Sequence, residues 1–231
     1  MSYNLFFKNN RPYQSITVIK NENPDIIFVQ ELTPKLNSEI DKALGNSYPF
    51  KLTKPLSGTY GIGIYSKYKI VNQRFLYNGT NKPYAQIVDL IIHDKTIQLI
   101  NTHLASPAIA VENKSRFVSL FAKNYQIRKN QIIEINKIAT TENKKYDCQL
   151  LVGDLNTIQS EPIFKRLRFK WTNSTNSLYR WMNFNFPYSS KIKPIVTLDY
   201  IMGRGKINIK ESKVIEGGSS DHLAIKCKLQ I

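Results

Sequence analysis

The chain has 231 residues, enough for one large domain or two small ones, and with 42% apolar and 22% charged residues it has material for a packed core. No run approaches the ~18 apolar residues of a membrane span, and the two cysteines, Cys148 and Cys227, exclude a disulfide scaffold and a four-cysteine zinc site. Lys and Arg number 33 against 17 Asp and Glu, and the net charge of +16 draws polyanions: nucleic acid, anionic lipid or phosphorylated metabolites.

Turn signals divide the chain into short strand-like runs and a few helices. Tyr3–Phe7 reads as a strand, and Pro12 opens a helix with Tyr13, Ile16 and Ile19 on one face, stopped by Asn23-Pro24-Asp25. The run from Met1 to Phe7, which leads directly into Lys8-Asn9-Asn10, is not the basic start and apolar stretch of a signal peptide. The expectation is a chain beginning at the edge of its first strand, either natively abrupt or trimmed of upstream sequence. That leaves a cytoplasmic or a membrane-tethered protein open. Ile26–Gln30 is a continuous apolar strand ending at Glu31, and Pro34–Leu44 is a helix with Leu36, Ile40 and Leu44 four apart. Strands follow at Gly61–Tyr65, Ile70–Tyr77, Ala85–Ile92 and Ile97–Thr102. A long helix runs from about Lys114 to Ile138, then come a strand at Gln149–Gly153 and a short helix at Glu161–Leu167. After an aromatic-rich, irregular stretch the predicted strands are Ile195–Met202, Lys210–Val214 and Leu223–Gln230. Strands and helices mixed end to end, with no linker or repeat, point to a single α/β domain over residues 1–231. The lysines are scattered along it, as a lysine- and asparagine-rich composition would also produce, and no run of five like charges marks a tail.

Polar residues gather where the apolar runs stop. Gln30-Glu31, Asn101-Thr102-His103, Gly153-Asp154-Leu155-Asn156, Thr197-Leu198-Asp199-Tyr200 and Ser219-Ser220-Asp221-His222 each sit at a strand end, and His103 and His222 are two of only three histidines. Taken singly, Glu31 is a solvated strand-end charge, Gly153–Asn156 a plain turn, Asp221-His222 a helix cap and Asn4 a structural amide. The Gly61-Ile62-Gly63 pair lacks the third glycine of a nucleotide loop and reads as a close-packed strand. No glycine-flanked nucleophile turn surrounds Ser219 or Ser220, which sets aside a serine hydrolase.

Together these segments are in the order and context of the endonuclease/exonuclease/phosphatase superfamily of DNase I-like phosphoesterases. The resemblance runs from Ser2-Tyr3-Asn4-Leu5, through the segments beginning at Asn23, Gly61 and Leu150, to Ser220-Asp221-His222-Leu223. It implies two packed mixed β-sheets flanked by helices, a four-layer α/β/β/α sandwich with the site at one edge. It also implies a divalent cation, Mg²⁺ or Mn²⁺ with Ca²⁺ in range, held by Glu31 with Asn4 and Asp221, since a hard cation takes oxygen ligands. Asp154 resembles the carboxylate that orients or deprotonates the attacking water, and Asn156 and His103 resemble donors to the phosphate. His222, held by Asp199, resembles the imidazole that faces the phosphorus, and a carboxylate beside a histidine favours its cation. His222 as the general base fits the residue types equally well. The histidine at position 103 resembles the DNase I, sphingomyelinase and small bacterial branches rather than the abasic-site repair branch.

The resemblance and the charge favour a monomeric phosphodiesterase acting on nucleic acid. The same chemistry on a phospholipid head group or small phosphorylated metabolite is the alternative, and a non-catalytic polyanion-binding domain is the third reading. Arg180, Lys191 and Lys193, interleaved with aromatic residues between Trp171 and Asp199, are the expected contacts to a nucleic-acid strand, because stacked rings and cations together track a backbone.

Overall fold

A computed structural model describes residues 1–107, 116–168, 170–173, 184–189 and 191–231. The first sheet is built from β1 (Ser2–Asn4), β2 (Ile26–Gln30), β3 (Phe50–Lys54), β4 (Ile62–Ser66), β11 (Asn208–Ile215) and β12 (Ala224–Gln230), in the order β11-β12-β1-β2-β4-β3. The second holds β5 (Ile70–Tyr77), β6 (Pro83–Ile92), β7 (Lys95–His103), β8 (Cys148–Asp154), β9 (Thr172–Asn173) and β10 (Asp199–Gly205), in the order β5-β6-β7-β8-β10-β9. Among the described strands only β1/β2 and β7/β8 pair in parallel, so both sheets are mixed. Four α-helices, α1 (Pro12–Glu22), α2 (Pro34–Leu44), α3 (Phe117–Thr141) and α4 (Pro162–Arg168), and two short 3-10 helices, Gly58–Tyr60 and Asn143–Lys145, complete the described regular structure. None among the described residues is long and apolar enough to cross a membrane.

The alternation along each strand builds the layers. In β2, Ile27 and Val29 pack under Ile16, Ile19, Leu36 and Ile40 of α1 and α2, while Phe28 turns inward. In β8, Leu151 lies under Ile132, Ile135 and Phe164 of α3 and α4, while Leu150 and Val152 meet Phe28, Ile64 and Ile225 between the sheets. Three cores therefore separate four layers, α/β/β/α. A strand covered on both faces reads as an unbroken apolar run, as Ile26–Gln30 does.

A polar clamp crosses the inter-sheet core. Asn101 of β7 donates to the carbonyls of Val29 (3.1 Å) and Gly63 (3.0 Å) in the first sheet, and its Oδ1 accepts from Gln30 Nε2 at 2.7 Å. All are buried, and this sets how the sheets sit on each other just below the polar strand ends.

Several boundaries differ from the sequence reading. β1 stops at Asn4, because Phe6 takes φ 60° and its N–H turns back to Asn4 Oδ1 at 3.0 Å. Tyr13 is 63% exposed; the buried stripe of α1 is Ser15, Ile16 and Ile19, with Ser15 kept inward by Tyr3 and Asn9. β10 starts at Asp199, since the backbone N–H groups of Leu198 and Asp199 are taken by the buried Asn185 side chain. The edge strand β3 and the two-residue β9 carry no unbroken apolar run and went unpredicted. α3 extends to Thr141, and Lys114, the predicted start, lies outside the described residues.

Candidate active site

Strand register assembles the cluster. The parallel β7/β8 pair sets His103 opposite Asp154, and the antiparallel β8/β10 pair sets Asp199 opposite the same Asp154, so three site residues stand in one row across the second sheet. In the first sheet, parallel β1/β2 sets Asn4 opposite Gln30, one residue before Glu31. His222 leads into β12, the other neighbour of β1, and Ser220 Oγ ties that turn to the Asn4 carbonyl at 2.7 Å.

Two close backbone approaches make room for this. A Cβ at Gly61 would lie 1.9 Å from the Leu32 carbonyl oxygen, and one at Gly153 2.1 Å from that of Thr102. Glycine is required at both for steric reasons. Next to Leu32, which Gly61 approaches, Glu31 adopts φ 57°, a left-handed conformation uncommon outside glycine. There its carboxylate accepts the Phe7 N–H at 2.9 Å and the Asn4 amide at 3.4 Å. Asn4 Nδ2 also reaches Asp154 Oδ2 at 3.1 Å. Because Asn4 Oδ1 is taken by the Phe6 N–H, the amide presents its nitrogen to the two carboxylates and braces them from outside.

His222 and Asp199 form a buried pair, Nδ1 to Oδ2 2.6 Å, with the Phe186 ring 4.6 Å from the imidazole. Burial alone would lower the imidazole pKa, but the Asp199 carboxylate, its hydrogen bond, and the charges of Asp154 and Asp221 outweigh it and raise the pKa to about 10. The free Nε2 faces Asp154 Oδ2 at 3.9 Å. Asp154 is itself pushed up by burial and by the Asp199 charge. A carbonyl only accepts, so the 2.9 Å contact to the Thr59 oxygen makes His103 Nδ1 a donor and leaves Nε2 facing Asp154 (3.5 Å) and Glu31 (3.9 Å). Asn156, at φ 46°, donates its N–H to Asp154 Oδ1 (2.8 Å) and its amide to the Leu104 carbonyl (3.0 Å).

The donor set suits a hard divalent cation. Asp221 is driven up to about 6, first by burial and also by the charges of Glu31 and Asp154, so these carboxylates crowd one another in a way that a cation relieves. Asp154, Asp199 and His222 bring ligand atoms within 4.8 Å of one another. In that trio the short Asp199–His222 hydrogen bond already occupies one imidazole nitrogen, although Asp199 Oδ1 is buried without a partner.

All eight residues read from the sequence as catalytic or metal-binding therefore lie at one end of the sandwich. Lys191 and Lys193 are exposed on a loop that touches the site through the Tyr188 N–H, 2.8 Å from the Asp221 carbonyl, and neither side chain enters the cluster. Arg180 lies outside the described residues. Among the described residues of the aromatic stretch, Trp171 is core, with Nε1 on Asn136, and Phe186 backs His222, while residues 174–183 lie outside the described residues. Sequence reasoning missed Asn185, whose amide holds Leu198, Asp199 and the Asp199 carbonyl (3.2 Å) in place. An amide between two phenylalanines was its only local signal.

The model of the Endonuclease/Exonuclease/phosphatase family matches residues 1–222. No curated protein matches the chain in sequence. Among solved structures, D. rerio TDP2 complexed with a single-strand DNA product has a TM-score of 0.77 at 18% identity, covering 100% of this chain and 97% of that one. An endonuclease/exonuclease/phosphatase from Bacteroides vulgatus gives 0.75 at 14%, covering 100% and 97%. Beta toxin from Staphylococcus aureus gives 0.71 at 19%, covering 98% of each chain. At these identities the likeness is one of fold.

Proposed function

The chain belongs to the endonuclease/exonuclease/phosphatase family, and from that premise we propose that it is a divalent-metal-dependent phosphodiesterase acting on nucleic acid. The observation that carries the reading is the meeting of the Asp199–His222 pair with Glu31, His103 and Asp154 in one cluster at the strand ends. Phosphoryl transfer needs a positioned nucleophile and a neutralised phosphate. Glu31 and Asp221 would hold Mg²⁺ or Mn²⁺, which when bound supplies charge neutralisation to the phosphate and the leaving oxygen. Asn4 braces Glu31 and Asp154, so both carboxylates keep their direction. Asp154, with its raised pKa, takes the proton of the attacking water. His222, kept cationic by Asp199, directs Nε2–H at the phosphate and the second N–H of the Asn156 amide donates beside it, while His103, its Nδ1–H given to the Thr59 carbonyl, turns Nε2 to the same cluster. For nucleic acid over a smaller phosphoester the support is the net charge of +16 and the single-strand DNA product bound by the TDP2 relative.

The test is one turnover screen of the purified protein in Mg²⁺ and in EDTA. Its substrates are DNA, RNA, sphingomyelin, inositol phosphates and a generic phosphodiester. Metal-dependent release from DNA or RNA is the expected result. Release confined to sphingomyelin or inositol phosphates moves the substrate to a head group or metabolite, and full turnover in EDTA removes the metal.

A further inference from the structure

We propose that two aromatic side chains topped by lysines, Tyr60 with Lys82 and Phe7 with Lys8, are the walls along which an unpaired nucleic-acid strand crosses the site. The inference rests on the phosphodiesterase reading and names the form of its substrate. On one wall, Thr59 accepts the His103 Nδ1–H, so the adjoining Tyr60 is tied to a side chain that faces Asp154 and Glu31. The Tyr60 ring is 39% exposed, and Lys82 Nζ lies 4.0 Å from its centre. The same rim continues through Lys54, 4.7 Å from the centre of the exposed Tyr77 ring and 2.9 Å from its hydroxyl. Strand pairing holds these groups together, with Tyr77 opposite Pro83 and Lys54 opposite Ile62. On the other wall the Phe7 N–H is bound to Glu31, and Lys8 Nζ lies 5.3 Å from the Phe7 ring centre.

Lys8, Lys54 and Lys82 form no ion pair among the described residues. Each ammonium rests on a ring, a weak anchor at an exposed site, and Lys54 also donates to the neutral Tyr77 hydroxyl and, at 3.3 Å, to Asn81 Oδ1, so all three are available to a stronger anion. A nucleic-acid strand offers both partners at once: phosphates for the ammonium groups and base faces for the rings they leave. Bases in a duplex are stacked on one another and present no face to a side chain, so the walls select unpaired strands. A lipid surface offers phosphate without an aromatic face.

Fluorescence anisotropy tests this in EDTA, which separates binding from turnover. The probes are a labelled oligothymidine, a hairpin duplex with the same number of phosphates, and phosphatidylserine vesicles. Tyr60→Leu is expected to weaken oligothymidine binding about fivefold or more, the loss of one stacked base, and Tyr60→Phe to restore it. Lys82→Gln is expected to flatten the log–log salt dependence by about 0.7. Hairpin and vesicle binding should respond far less to Tyr60→Leu. Unchanged oligothymidine binding overturns the proposal, as does an equal loss on the hairpin or a larger one on vesicles. Circular dichroism verifies that each variant is folded. If the variants show these losses yet the wild-type protein cleaves no phosphodiester in Mg²⁺, the enzyme reading is refuted and the walls stand.

Discussion

Replacing Asp199 with asparagine removes the charge that keeps the His222 imidazole protonated. In the metal-free protein, moving that pKa from 6.5 to about 10 corresponds to about 5 kcal/mol in favour of the cation. Its opponent is burial, the largest single influence on His222, which stands against only Asp154 and Asp221 once Asp199 is neutral. The pKa in Asp199→Asn should therefore fall by several units. Stability follows with a definite sign. Folding raises the pKa, so the contribution is whole below pH 6.5 and is lost as pH rises through about 10. The stability gap between wild type and Asp199→Asn should accordingly be widest near pH 6 and narrow by a few kcal/mol towards pH 10. Histidine NMR on metal-free protein reads the pKa directly, and urea unfolding across the same window reads the gap. A His222 pKa in the variant within about one unit of wild type, or a gap independent of pH, would refute the pairing as the source of the charge. Activity should agree: residues that act as a unit give losses far from additive, so His222→Ala should cost little more once Asp199 is asparagine.

Three further outcomes are expected. Glu31→Gln keeps an acceptor for the Phe7 N–H but loses the charge, so calorimetry should show Mg²⁺ or Mn²⁺ binding weakened more than about tenfold with the unfolding temperature nearly retained. Asp221 carries a proton below about pH 6 in the metal-free protein, so divalent affinity should fall as pH drops through that value; constant affinity from pH 7 to 5 would remove Asp221 from the cation site. Asn101→Leu removes the amide that the carbonyls of Val29 and Gly63 share between the sheets and leaves the Gln30 amide with Ser2 Oγ at 3.3 Å, and should cost roughly 1–3 kcal/mol in urea unfolding, whereas no measurable cost would mean that the clamp does not hold the sheets together.

The layers were legible locally because a strand covered on both faces is an unbroken apolar run, and a carboxylate or imidazole where such a run stops is conspicuous. Ile26–Gln30 with Glu31, and the run through β8 ending at Asp154, could be read without any knowledge of their neighbours. What each polar residue does was not legible. Gln30 and Asn101 stand one and two residues from Glu31 and His103, yet they clamp the sheets. The aromatic stretch reads as one surface, but of its described rings Trp171 lies in the core and Phe186 at the back of His222, and the lysines at 191 and 193 stay in solvent. The carboxylates of Glu31 and Asp154 are shared by one amide, Asn4, which is 27 residues from the first and 150 from the second. Periodicity reports only which face of an element is dry. Which residues meet across two sheets depends on register, and on the left-handed turn at Glu31, so only the tertiary structure set Asp199 against His222, which raises the imidazole pKa, and turned the Asn4 amide nitrogen to both carboxylates.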